Sequence, residues 1–262
     1  AALMVALSCL SATAQGMGIM SKPLKAKDFF EGQQLVIAEG IAKNDLNALR
    51  ATYDLDLLSR EGKKELTLMW FAADNACPNF EAIRILVEKG VDPTTQGLRP
   101  FGPMLYYSLK QKDLRYLTAL LDGGFPVNYQ DEDNSPLIQL ASGPHGSLEH
   151  VKLLVERGAD IHLRDRLGYN AFNDAISARN FDTADYLLEL GTDLTSINYN
   201  GVTTAWGVQF TLSRLDPTLE HHAKLSRIQQ KMIEKGIEFP AKPPSEVKEW
   251  MRSQGMYVIG DD

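Results

Sequence analysis

The stretch LLVERGADI at residues 153–161 is an aliphatic run stopped by Gly158 and followed by a short polar turn. Nearly the same text recurs as ILVEKGVDP at 85–93, ALLDGGFPV at 119–127 and LLELGTDL at 187–194. The stopping glycines are Gly90, Gly124, Gly158 and Gly191, spaced 34, 34 and 33 residues apart, and Gly236 closes a fifth run. Upstream of each regular glycine, aliphatic residues stand at i, i+3 and i+4: Ile83/Leu86/Val87, Leu117/Leu120/Leu121, Val151/Leu154/Val155 and Ala184/Leu187/Leu188. That spacing puts each triplet on one face of a helix, and a glycine at its end supplies the left-handed residue that lets the chain turn away.

About 20 residues before each glycine lies a second recurrent segment: TLMWFAA from Thr67, PMLYYSL from Pro103, SPLIQLA from Ser135, NAFNDAI from Asn170 and TTAWGVQ from Thr203. These segments resemble the TPLHxA signature of the ankyrin repeat, and the glycine-ended runs resemble its LLxxGADxN signature. The resemblance covers about Gly32 to Pro240. It implies an all-α ankyrin-repeat solenoid of about six repeats. The signature histidine is replaced by Trp70, Tyr106, Ile138, Asn173 and Trp206, so apolar packing is expected in place of the usual polar network, with these aromatics partly buried as core filling. Short insertions are expected between paired helices at Ala76 to Pro78 and Gly143 to His145. The Gly191-to-Gly236 interval is 45 residues, and its excess near Phe210 to His222 is expected to lengthen a helix or form a projecting loop.

A stack of repeats needs ends with polar exteriors. QQLVIAEGIAKNDLNALRATY at 33–53 predicts two short helices separated at Lys43-Asn44, a degenerate first repeat. KPPSEVKEWMRSQG at 242–255 predicts a closing amphipathic turn with Ser245 as N-cap and Gly255 at its end.

The chain has 262 residues, 44% hydrophobic and 23% charged, which is ordinary globular composition, and a formal charge of −7. That charge repels nucleic-acid phosphates and anionic lipid headgroups and favours a protein partner with a basic patch. AALMVALSCL is too short to span a bilayer and precedes the small-residue tract SATAQ, so residues 1–14 are expected to be the remnant of a signal peptide cleaved after Ala12-Thr13-Ala14. Residues 15–27 would then form a flexible mature N-terminus, 28–258 the repeat domain and 259–262 a tail. A buried N-terminal helix and lipidation at Cys9 are the other readings of this stretch. Ala6 stands against lipidation, because a larger aliphatic residue is normal at that place. Cleavage leaves Cys77 as the sole thiol, with no intramolecular disulfide and nothing nearby to activate it.

No phosphate-binding glycine motif, zinc-protease helix, nucleophile elbow, paired CxxC or calcium loop is present, so no catalytic residue, cofactor or metal is expected. Glu220-His221-His222 is the strongest metal candidate, but adjacent histidines on a helix diverge and no second ligand pair accompanies them. His145, His150 and His162 are expected at the surface.

The ankyrin resemblance implies a concave face made of loop tips and the exposed side of each first helix. Position by position, the tips are Lys63, Lys64, Arg99, Phe101, Asp131, Glu132, Asp133, Arg166, Tyr169, Tyr199 and Asn200. The helix positions are Asp74, Asn75, Lys110, Gln111, Ser177 and Ala178. Aromatic and arginine tips offer anchors, and Asp131 to Asp133 form an acidic tip. The segment FFEGQQLVIAEGIAKNDLNAL at 29–49 is similar to the front of periplasmic ankyrin-repeat immunity proteins paired with type VI secretion lipase effectors of the phospholipase class. That resemblance implies steric occlusion of an effector's active-site mouth in the periplasm. A periplasmic scaffold or stress-related adaptor is the alternative, and an enzyme accessory or metal-handling protein a third.

Overall fold

The computed structural model describes residues 24–74, 78–95 and 101–260. The signal-peptide reading, Cys9, Cys77, Asn75, Arg99 and the insertion at 76–77 lie outside them, as does the side chain of Asp74. Among the described residues there are fourteen α-helices and no extended sheet, in two compact units that meet in sequence at Pro126 and Val127. No helix among them is long and apolar enough to cross a membrane.

The first unit contains α1 (Gly32–Lys43), α2 (Asn47–Ala51), α3 (Leu55–Ser59), α4 (Leu68–Asp74), α5 (Phe80–Glu88), α6 (Met104–Lys110) and α7 (Arg115–Asp122). The separation foreseen at Lys43-Asn44 is made by Asn44, which takes a left-handed conformation with φ 57° and ends α1. Helices α2, α5 and α7 pack side by side as one layer, with α1 and α4 against each other in the next. The core between them holds Phe30, Ile37, Ile41, Leu58, Trp70, Phe71, Ile83, Leu86, Leu105, Leu117 and Leu120, all at most 2% exposed.

Asn79 fastens this stack at one point. Its Oδ1 accepts the Ala82 N–H at 3.0 Å as the N-cap of α5, and its Nδ2 donates to the Ile41 carbonyl at 3.0 Å and to Asn44 Oδ1 at 3.2 Å. Asn79→Ala removes both the cap and the tie to the preceding repeat. Its expected cost is roughly 1–2 kcal/mol, read from the urea midpoint at unchanged slope.

The second unit contains α8 (Leu137–Ser142), α9 (Leu148–Glu156), α10 (Ala171–Ser177), α11 (Phe181–Glu189), α12 (Thr204–Ser213), α13 (Glu220–Glu234) and α14 (Pro244–Ser253). Helices α8, α10 and α12 form one layer, while α9, α11 and α13 form the other. Gly158 shows how each pair ends. With φ at 86°, it lets its own N–H reach the Val155 carbonyl at 2.9 Å while the Ala159 N–H reaches Leu154 at 2.9 Å. The same two bonds recur around Gly90, Gly124, Gly191 and Gly236, so the glycine period is a period of helix terminations. The long interval is absorbed by a longer α12, a turn at 214–219 and a 15-residue α13.

Three expectations need correction. His150 is not at the surface: it is 2% exposed, and its Nδ1 pairs with Ser147 Oγ at 2.9 Å, so the residue that caps α9 also satisfies the buried ring. The N-cap of α14 is Pro243, with Pro244 as its first residue, and not Ser245; proline suits a first turn whose N–H groups have no helical partner. Apolar packing has not replaced the polar network everywhere. Asn173 forms a capping box with Asn170 and donates from Nδ2 to Thr204 Oγ1 at 3.2 Å in the following repeat. Trp70 and Ile138 are buried as core, whereas Tyr106 and Trp206 are half-buried.

Candidate protein-binding face

In the second unit the chain reaches each first helix through a narrow finger closed by an isolated antiparallel bridge: Gln130 with Pro136, Arg164 with Asn170, and Ile197 with Thr203. One side chain locks each finger. Asp131 Oδ1 accepts the N–H groups of Asp133 and Ser135 at 3.0 and 2.8 Å. Asp165 Oδ1 accepts those of Leu167 and Tyr169 at 2.9 Å each, and Asn198 Oδ1 those of Asn200 and Val202 at 2.9 and 2.8 Å. A short carboxylate or amide can fold back onto the backbone two and four residues ahead, which explains Asp, Asp and Asn at these equivalent places.

The acidic tip is therefore partly committed. Asp131 holds its finger, Asp133 pairs with Arg166 of the next finger at 2.5 Å, and Glu132 is exposed. Tyr199 packs edge-on against Tyr257, with centroids 5.5 Å apart, and stays 41% exposed beside exposed Leu167. Asn200 is half-buried, Ser177 is exposed at the end of α10 and Ala178 is half-buried. In the first unit, exposed Lys63 pairs with Glu31 at 2.6 Å, and Lys64 sits 5.7 Å from the Phe29 ring centroid. The Lys63 ammonium holds the Glu31 carboxyl below its ordinary range through a hydrogen bond and its charge. Phe101 is half-buried against Trp70 and Tyr107, Lys110 is exposed and Gln111 half-buried. Of the histidine candidates on α13, His221 packs edge-on against Phe181 and His222 pairs with Ser226.

Sequence reasoning missed a cluster at the base of the second finger. Gln139 on α8 donates from Nε2 to Asp165 Oδ2 at 2.9 Å, and the carboxylate of Asp174 on α10 lies beside its amide. Burial pushes Asp174 up to about 6; the bond from Gln139 partly offsets that, and the Asp165 charge adds to it. Tyr169 lies beside both carboxylates, and its hydroxyl is pushed up by burial first and by the two negative charges second. The signal was present in part: counting one period on from Asp131 lands on Asp165.

Residues 104–198 match the family described as ankyrin repeats, in three copies. Residues 104–198 of this chain are ankyrin repeats. The three matched copies span α6 to the third finger and so include every residue of the cluster. Ankyrin repeats are a protein-interaction fold, and that is the class of activity the matched segment carries. The chain is 29% identical to protein PhlB of Serratia liquefaciens over 140 residues, 53% of this chain and 60% of PhlB. Over 56 residues it is 48% identical to human protein phosphatase 1 regulatory subunit 27, covering 21% of this chain and 36% of that one. It is also 33% identical over 86 residues to serine/threonine-protein kinase 12 of Arabidopsis thaliana, 33% of this chain and 18% of the kinase. It therefore spans less than two thirds of each of these relatives.

Proposed function

We propose that this chain is a non-catalytic immunity protein of the periplasm that binds a cognate antibacterial lipase effector and occludes its active-site mouth. The observation that carries the reading is the row of fingers at 131–135, 165–169 and 198–202. Each is locked by its own Asp or Asn, so exposed side chains such as Glu132, Leu167 and Tyr199 are held on fixed backbone. A preorganised face loses little entropy when it docks, which makes tight steric inhibition accessible without rearrangement. The formal charge of −7 favours a partner with basic residues around a phosphate-binding mouth.

Three further points support the reading. The segment at 29–49 resembles the front of such immunity proteins. The apolar AALMVALSCL stretch followed by small residues supports export. One relative is by its name the regulatory subunit of an enzyme, the relationship proposed here between this chain and its lipase.

The test is inhibition of purified effector. The protein is expected to copurify with one lipase effector and to abolish its hydrolysis of phospholipid near a one-to-one ratio. Full lipase activity in the presence of excess protein overturns the inhibitory reading. Stable binding without loss of activity replaces it with the periplasmic adaptor.

A further inference from the structure

Protein interiors are packed to the density of organic crystals and keep few voids larger than a water molecule. The first unit departs from that rule at one place. Around α3, the start of α4, the turn at 90–95 and the start of α6 lies a cavity of about 200 Å³. Its lining is largely apolar: Met69, Trp70, Val91, Pro93 and Met104 are all buried. It reaches the surface at Leu55, which is 46% exposed, and at exposed Asp92. An apolar space of about 150 Å³ is enough to take up benzene, and an empty one forfeits the dispersion contacts of the side chains around it. A second observation falls at the mouth. Asp92 Oδ1 accepts the Thr94 N–H at 2.8 Å and the Thr94 hydroxyl at 2.7 Å. Among the described residues, its Oδ2 takes no hydrogen bond and no ion pair.

We propose that this cavity receives an aromatic side chain of the protein partner, and that Asp92 pairs with a basic residue adjacent to that aromatic in the partner's chain. The proposal rests on the reading that the chain binds protein, and it names one anchor contact. A ring suits this lining better than a branched aliphatic group. Met69 and Met104 bring thioethers, which gain by lying at a ring edge, and Trp70 brings an indole that favours edge or offset contacts. An aromatic residue seated in a preformed pocket is also the kind of contact that dominates the energy of an interface. Because Thr94 holds Oδ1, the carboxylate is fixed in its turn and offers its second oxygen to a cation without rearranging.

The probe is N-acetyl-phenylalanyl-lysine amide, titrated into the full chain labelled with ¹³C at the methionine methyls. Met69 and Met104 are the reporters, and buried Met232 and Met251 of the second unit are the references. The ring current of a seated phenyl group is expected to shift both reporter methyls saturably and to leave the references still. The probe with alanine in place of phenylalanine is expected to give no shift. Glutamine in place of lysine should weaken binding by about three-fold, as for an exposed ion pair. Asp92→Asn keeps an Oδ1 acceptor for Thr94 and removes the charge, so it is expected to bind the lysine and glutamine probes equally. Val91→Phe places a ring in the space and is expected to abolish the shifts. Unshifted reporters, shifts that persist with the alanine probe, or equal binding of the lysine and glutamine probes to the unmutated chain would each overturn the pocket. The titration needs no partner protein. An effector that stays active in excess protein therefore sinks the inhibitory reading without touching this result, and a failed titration sinks the pocket without touching inhibition.

Discussion

Replacing Trp70 by alanine lowers the stability of the first unit by about 3–5 kcal/mol. Trp70 is 2% exposed, and its ring packs against Tyr107 with centroids 4.9 Å apart and against Phe101 at 5.9 Å. It also lines a cavity of about 200 Å³ with Met69, Val91, Pro93 and Met104. Truncation there enlarges a space that is already present, so the lost transfer energy comes with an enlarged void that neighbours cannot fill by a small collapse. Trp70→Phe keeps an aromatic ring against Tyr107 and should lose only about 1–2 kcal/mol. Urea denaturation followed by far-ultraviolet circular dichroism measures both, since the tryptophan signal changes with the mutation itself. A loss under about 1 kcal/mol for alanine would mean that Trp70 does not anchor this core.

Asp174→Asn acts in the opposite direction. An acid whose folded pKa is about 6, against an ordinary value of 3.8, binds more protons folded than unfolded between those limits. Stability from this group is therefore greatest below about pH 4 and falls as pH rises through 6, above which the full penalty is present. Asparagine carries no charge to desolvate. The variant should match the wild-type protein near pH 3.5 and exceed it by roughly 1–3 kcal/mol at pH 7.5. Denaturant midpoints of the two proteins across that range isolate the effect, because every other titrating group is common to both. A constant difference at all pH values, or destabilisation at pH 7.5, would show that Asp174 is not an uncompensated carboxylate.

The fold was legible wherever a residue's role depends on its immediate neighbours. Gly158 and its counterparts, Asn44, and the pair Val151/Leu154 announce helix ends and faces within a few positions, and the structure places them accordingly. What escaped depends on which side chains meet once the chain folds, some close in sequence and some a whole period away. His150 reads as a surface residue until Ser147 accounts for its ring nitrogen. Asn173 reads as a lost histidine until Thr204, 31 residues on, accepts its amide hydrogen. Asp174 looks like any polar helix position, because its burial and the nearness of Asp165, in the finger that leads into its own helix, arise only once the chain folds. The period was readable; the polar bookkeeping between periods was not. The candidate face was legible only as a set of loop tips. Which tips are tied down, as Asp133 is to Arg166, follows from spacing across fingers that no local motif records.

Because each finger is pinned by the first residue of its own turn, the backbone at its apex does not depend on what the apical side chains are. Glu132, Leu167 and Asn200 can therefore drift by mutation with little penalty to folding. The surface can thus be rewritten one digit at a time while the helical frame is inherited unaltered.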